Sequence, residues 1–186
     1  MDNSATTAFE KWQEAINLLD WPQFTFALLY GASALLAYIC ARSSADHRPL
    51  HRFWLANSFF LLFIGIDNLL CISTFTIEWL RAIARLEGWY GTRRSLQYEV
   101  LAGLGLLLLL LGGRLSGALD TAKQFIQPAI AATALLACLF LLRTVSFHDT
   151  DAILQMRIAG QSVQRILEIF GLGFSVAGSV WFLRNY

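Results

Sequence analysis

The segment "SFHDTDAILQMR" (residues 146–157) gathers Ser146, His148, Asp149, Asp151, Gln155 and Arg157 between two apolar runs. An imidazole with several carboxylates can ligate a divalent metal or carry out general acid–base work. Three more carboxylates stand at or inside apolar runs: Asp67, Glu78 and Glu168. A charge at membrane depth is costly unless it is paired, hydrated or protonated, so each is a candidate contact for an ion, a proton or a ligand. For Asp67 the competing reading is a hydrogen bond that orders the bundle, with Asn68 as helper. His148, Asp151 and Glu168 are the candidate metal ligands and acid–base groups; a salt-bridged turn is the competing reading for the segment. No pair has the spacing of an HExxH zinc site. Ser146, His148 and Asp151 are triad residue types, but so short a segment does not favour triad geometry.

A second polar stretch, "EGWYGTRRSLQYE" (87–99), contains Arg93 and Arg94. Guanidinium groups bind phosphate bidentately, so these two are candidates for holding an anionic head group. Trp89, Tyr90 and Tyr98 suit the aromatic belt at a membrane–water boundary, and the arginines could equally be interfacial punctuation.

These residues must be positioned by apolar elements. Hydrophobic residues make up 56% of the 186-residue chain and charged ones 15%, which departs from a soluble domain in the direction of a membrane protein. Five stretches approach the roughly 20 residues needed for a spanning helix: 24–41, 53–75, 98–113, 125–142 and 166–183. The expected fold is therefore all-α, a single polytopic membrane helix bundle over 1–186 with five spans. In "TAFEKWQEAINLLDW", Phe9, Trp12, Ile16 and Leu19 share one helical side and Glu10, Lys11 and Glu14 the other. That pattern fits a helix in the membrane interface, or one packed on another protein helix.

Reading from Asp67 at helical spacing gives Cys71, Thr74, Glu78, Arg81 and Arg85, a stripe that ends near Gly88, a glycine suited to a helix C-terminus. One helix over 53–87 would be about 50 Å long against a hydrocarbon core of about 30 Å, so it must protrude, kink or break. If Asp67, Glu78, His148, Asp151 and Glu168 are to meet at one face, the second and fifth spans must be neighbours.

Five spans put the termini on opposite sides. Face A holds 42–52, 114–124 and the C-terminus; face B holds the N-terminus, 76–97 and 143–165. Lys and Arg divide six to eight between them, but the face A loops are short and mostly basic, which favours face A as cytoplasmic. The polar cluster is then periplasmic. The first twenty residues include Asp2, Glu10, Glu14 and Asp20 and lack the basic start and apolar core of a cleavable signal, so the first run is expected to be an uncleaved anchor.

Other features point to packing. Cys40, Cys71 and Cys138 lie in apolar runs, without the spacing of a disulfide framework or a zinc knuckle. His47 and His51 have Pro49 between them and basic neighbours, which predicts a soluble loop. Gly171, Ser175 and Ser179 recur every four residues, a seam for close helix contact. There is no haem-attachment CxxCH, P-loop or dinucleotide fingerprint, and a net charge of +1 argues against a nucleic-acid partner.

On "GWYGTRRSLQ" (88–97), "SFHDTDAIL" (146–154) and "LEIFG" (167–171), the chain resembles a family of small bacterial inner-membrane proteins with no assigned activity. The resemblance covers residues 53–184 and implies that Glu78, Trp89, Tyr90, Arg93, Arg94, Gln97, Ser146, His148, Asp151 and Glu168 form a shared feature. The family pattern has a Lys and an Asp where this chain has Asn68 and Cys71, so no charge-pair chemistry is implied there. Three function classes follow. The first is a metal-binding or lipid-directed membrane enzyme. The second is a non-catalytic subunit or assembly factor docked on other membrane subunits, and the third is an ion or small-solute transporter using Asp67.

Overall fold

The computed structural model describes residues 2–17, 21–86, 88, 99, 102, 103, 105, 123–145, 154–158 and 160–186. The third expected span, 98–113, therefore lies almost wholly outside the described residues. The elements are helices α1 (Asp2–Asn17), α2 (Trp21–Ser43), α3 (Arg48–Leu70), α4 (Ile72–Leu86) and α5 (Lys123–Val145), a hairpin β1 (Arg157–Ile158) and β2 (Gln161–Ser162), and helix α6 (Val163–Asn185). The fold is an all-α helical bundle. Among the described residues, four segments are long and apolar enough to cross a membrane: Trp21–Ser43, Arg48–Leu70, Ile126–Arg143 and Val163–Asn185.

The distribution of side chains fits a lipid surround. Along α2, α3 and α6 the outward positions are large and apolar, among them Leu28, Leu35, Phe59, Phe63, Phe170, Phe174 and Trp181. The inward positions include Ser33, Ala34, Ala37, Asn57, Ser175 and Ser179. In water such an arrangement would expose its best core formers; in lipid, small and polar residues drive helix contact. This chain is an integral membrane protein.

Small residues set the packing. The α6 seam is buried at Gly171, Ser175 and Ser179, and Gly178 joins it. A Cβ on Gly178 would come within 2.7 Å of the Ala129 backbone nitrogen, so α5 and α6 touch almost backbone to backbone. On the other side of the seam, Cys40 Sγ of α2 donates to the Ser179 carbonyl (3.5 Å). Helices α3 and α5 meet where Thr133 Oγ1 donates to Asn57 Oδ1 (2.8 Å) and where Phe63 and Phe140 rings stand edge to face. Helices α3 and α6 also meet, with the Trp54 and Phe182 ring centroids 5.2 Å apart, so the helices of the second and fifth expected spans are in contact there.

The turn joining α2 to α3 is tight. Pro49 occupies the first turn of α3, where its missing N–H costs nothing. His51 is helical rather than in a loop, and its Nδ1 donates to the Ala41 carbonyl at the end of α2 (2.8 Å). It closes the hairpin between the helices.

At the opposite end, the expected single helix over 53–87 is broken. Cys71 has φ 49° and ψ 37°, a left-handed conformation that ends α3, and α4 starts one residue later. Asp67 thus belongs to α3 while Glu78 and Arg81 belong to α4, and the continuous stripe through all of them does not exist. Periodicity carried across the break because a one-residue interruption barely disturbs the spacing. Helix α4 ends at Leu86, and Gly88 beyond it has φ +77°, a conformation suited to glycine.

Helix α1 packs on α4. Trp12 Nε1 donates to the Leu70 carbonyl (2.7 Å), one of the acceptors freed where α3 stops, and its ring meets Phe75 edge-on. Between α5 and α6, Arg157 pairs with Ser162 and Ile158 with Gln161 around Gly160 (φ +82°). Arg157 is therefore in a strand. Helix α6 starts at Val163, earlier than the apolar run, because Ser162 caps it by accepting from the Arg165 N–H (3.3 Å).

Candidate polar cavity at one end of the bundle

Asp67 is 1% exposed. It sits in the last turn of α3, about 4.5 Å of rise from the helix end, rather than deep in a long helix. A carboxylate there is disfavoured by the dipole of its own helix, but it faces the start of another. Its Oδ1 accepts the Ser73 N–H (2.6 Å) and its Oδ2 the Ser73 hydroxyl (2.9 Å). The carboxylate thus does what an N-cap side chain does for α4, from across the break. Asn68 does not help it; its Nδ2 donates to the Ile64 carbonyl of the same helix (3.1 Å).

Arg143, in the last turn of α5, approaches the same carboxylate with Nη1 at 4.0 Å from Oδ2. That is an ion pair too long for a hydrogen bond. Among the described residues it is the one ion pair Arg143 makes. Glu168, in the second turn of α6, is 8% exposed, and its Oε1 accepts from Gln164 Nε2 (2.9 Å). Among the described residues, Arg143 and Arg165 carry charges that Glu168 feels, and the buried Tyr30 of α2 feels those of Glu168 and Arg143.

Glu78 is on α4 with its side chain 14% exposed, between Lys11 of α1 (2.9 Å) and Arg81 (2.6 Å). Burial pushes its carboxyl upward, but the Lys11 hydrogen bond and the charges of Arg81 and Lys11 outweigh that and hold it below the ordinary carboxylate range.

Of these groups, Ser73, Glu78, Arg81, Arg143 and Gln164 border a cavity of about 270 Å³. Helix α4 contributes Ser73, Thr74, Ile77, Glu78 and Arg81; α5 contributes Arg143, α6 contributes Gln164, and Leu154 and Gln155 complete the described lining. Because Gln155 is exposed and Thr74, Ile77 and Gln164 are half-buried, the cavity opens to the surface. At about 30 Å³ per water it has room for roughly nine waters.

No family model, curated protein or solved structure matches the chain.

The structure thus brings Asp67, Glu78 and the Gln164–Glu168 turn to one end of the bundle. His148, Asp151, Arg93 and Arg94 lie outside the described residues. Of the candidate metal trio only Glu168 is described, and among the described residues no three His, Cys, Asp or Glu side chains gather as metal ligands. Sequence reasoning passed over Arg143, Ser73 and Tyr30. Arg143 had a usable signal, since a cation closing an apolar run beside a polar segment favours a helix C-terminus. Ser73 had none, because its partner is six residues back across a helix break.

Proposed function

We propose that this protein binds the polar end of a membrane-borne molecule in the cavity framed by α4, α5 and α6, and so acts as a lipid-directed binding protein or enzyme. The observation that carries this reading is the cavity's position. Arg143 ends one span and Gln164 begins another, so the lining groups lie where lipid head groups meet the ends of spanning helices. A cavity at that level suits an amphiphile, whose head would enter while its tails stay in the bilayer. His148 and Asp151, near in sequence to the cavity residues Leu154 and Gln155, would be the groups to act on such a head, with a divalent metal if they hold one. The short, mostly basic sequence segments 42–52 and 114–124 favour the reading that the cavity faces the periplasm of a bacterial inner membrane.

The test is to extract the full chain in native lipid particles and identify what stays with it. A defined lipid that is lost from a Thr74→Trp variant, in which an indole fills the cavity, supports the reading. Retention of the same lipids at the same level by both proteins would refute it.

A further inference from the structure

Resting on the reading of the cavity as a head-group site, we infer that the group it takes is a phosphate, held by Arg143 with Arg81 beside it. Three observations carry this. First, Arg143 is loosely engaged. Asp67 spends its two oxygens on Ser73 at 2.6 and 2.9 Å, which leaves the guanidinium 4.0 Å away. A guanidinium held by one long ion pair can present its donor fork to a second anion.

Second, the acids described at this end of the bundle already have partners of their own, so none of them holds Arg143 at hydrogen-bond distance. Glu78 is occupied by Lys11 and Arg81, Asp67 by Ser73, and Glu168 by Gln164.

Third, the remaining lining suits a phosphate ester. Thr74 and Gln155 supply polar groups for its free oxygens and for the glycerol beyond, while Ile77 and Leu154 give an apolar wall where the first carbons of a lipid would lie. Inorganic phosphate shares the first chemistry but not the second, so a phospholipid is the favoured source.

The experiment uses the full chain in mild detergent, titrated with phosphatidylglycerol, with diacylglycerol and with inorganic phosphate, and reads bound ligand by native mass spectrometry. Phosphatidylglycerol is expected to bind at least about tenfold more tightly than diacylglycerol, a difference of about 1.4 kcal/mol. Arg143→Gln should remove that preference and Arg143→Lys should keep part of it. Binding of inorganic phosphate as tight as that of phosphatidylglycerol would retain the phosphate site but overturn the lipid source. Equal binding of phosphatidylglycerol and diacylglycerol, both abolished by Thr74→Trp, would overturn the phosphate inference and leave the head-group reading standing. Binding of every ligand unchanged by Thr74→Trp would overturn both. Should Arg143→Gln fail to fold, Arg81→Gln takes its place, with loss of the phosphatidylglycerol preference expected and an unaltered preference counting against the inference.

Discussion

Asp67, in the last turn of one membrane-spanning helix, caps the helix that follows by accepting both the N–H and the hydroxyl of Ser73. This pairing explains why a carboxylate can be 1% exposed at the end of an apolar helix. Two hydrogen bonds, the α4 dipole and the more distant Arg143 replace the water it has lost. Both of its oxygens help to hold the α3–α4 junction.

Asp67→Ala removes the cap and strands the Ser73 N–H in a buried setting. The expected loss is about 1–3 kcal/mol of stability, read as a lower unfolding temperature in detergent. Asp67→Asn keeps an acceptor oxygen for the N–H and should lose clearly less. Equal losses from the two variants would mean that charge, and not capping, is what the junction needs.

The junction also depends on Cys71. Its φ of 49° is open to most residues only at a cost, and β-branched side chains tolerate it least. Cys71→Val should therefore destabilise by about 1–2 kcal/mol more than Cys71→Ala, although Val is the better packing residue. If thermal unfolding finds the Val variant at or above the Ala variant, the break is not held in the left-handed region.

Docking of α1 should depend on pH through Glu78. Its carboxyl is held below its unfolded value by Lys11 and Arg81, so it contributes stability at pH values above the unfolded pKa. That contribution disappears as the pH falls through the lower, folded pKa. Hydrogen-exchange protection of residues 2–17, taken relative to the intrinsic rate at each pH, should fall in acid below the ordinary carboxylate range. Because Lys11 is 47% exposed, salt should weaken the pair at neutral pH as well, by no more than about 1 kcal/mol. Glu78→Gln should show the same protection across the same pH range.

Gly178 permits a close backbone approach between α5 and α6. A methyl group there would lie 2.7 Å from the Ala129 nitrogen, a backbone atom with no rotamer to change. Gly178→Ala should cost about 1–3 kcal/mol and Gly178→Val more. Gly173, whose added Cβ would meet nothing within 4 Å, is the control, and Gly173→Ala should be nearly neutral. Unfolding midpoints of the three variants in one detergent give the ranking.

The class of this protein was legible from residue types alone. Runs of about twenty apolar residues have no stable place but lipid or a large core, and the four-residue spacing of Gly171, Ser175 and Ser179 marked where helices could approach. Such features are local, set by composition and by the 3.6-residue period of a helix. What lay beyond them was decided by contacts between residues distant in the chain. The Lys11–Glu78 pair, the Trp12 bond to Leu70 and the approach of Arg143 to Asp67 join residues 67, 58 and 76 positions apart in turn. Periodicity carries no information about such pairs. Nor could it show the break at Cys71, where one residue in a left-handed conformation divides a pattern that reads as continuous. Only the tertiary structure turned Asp67 from a charge inside an apolar run into the cap of a helix, because the N–H it binds belongs to the far side of that break.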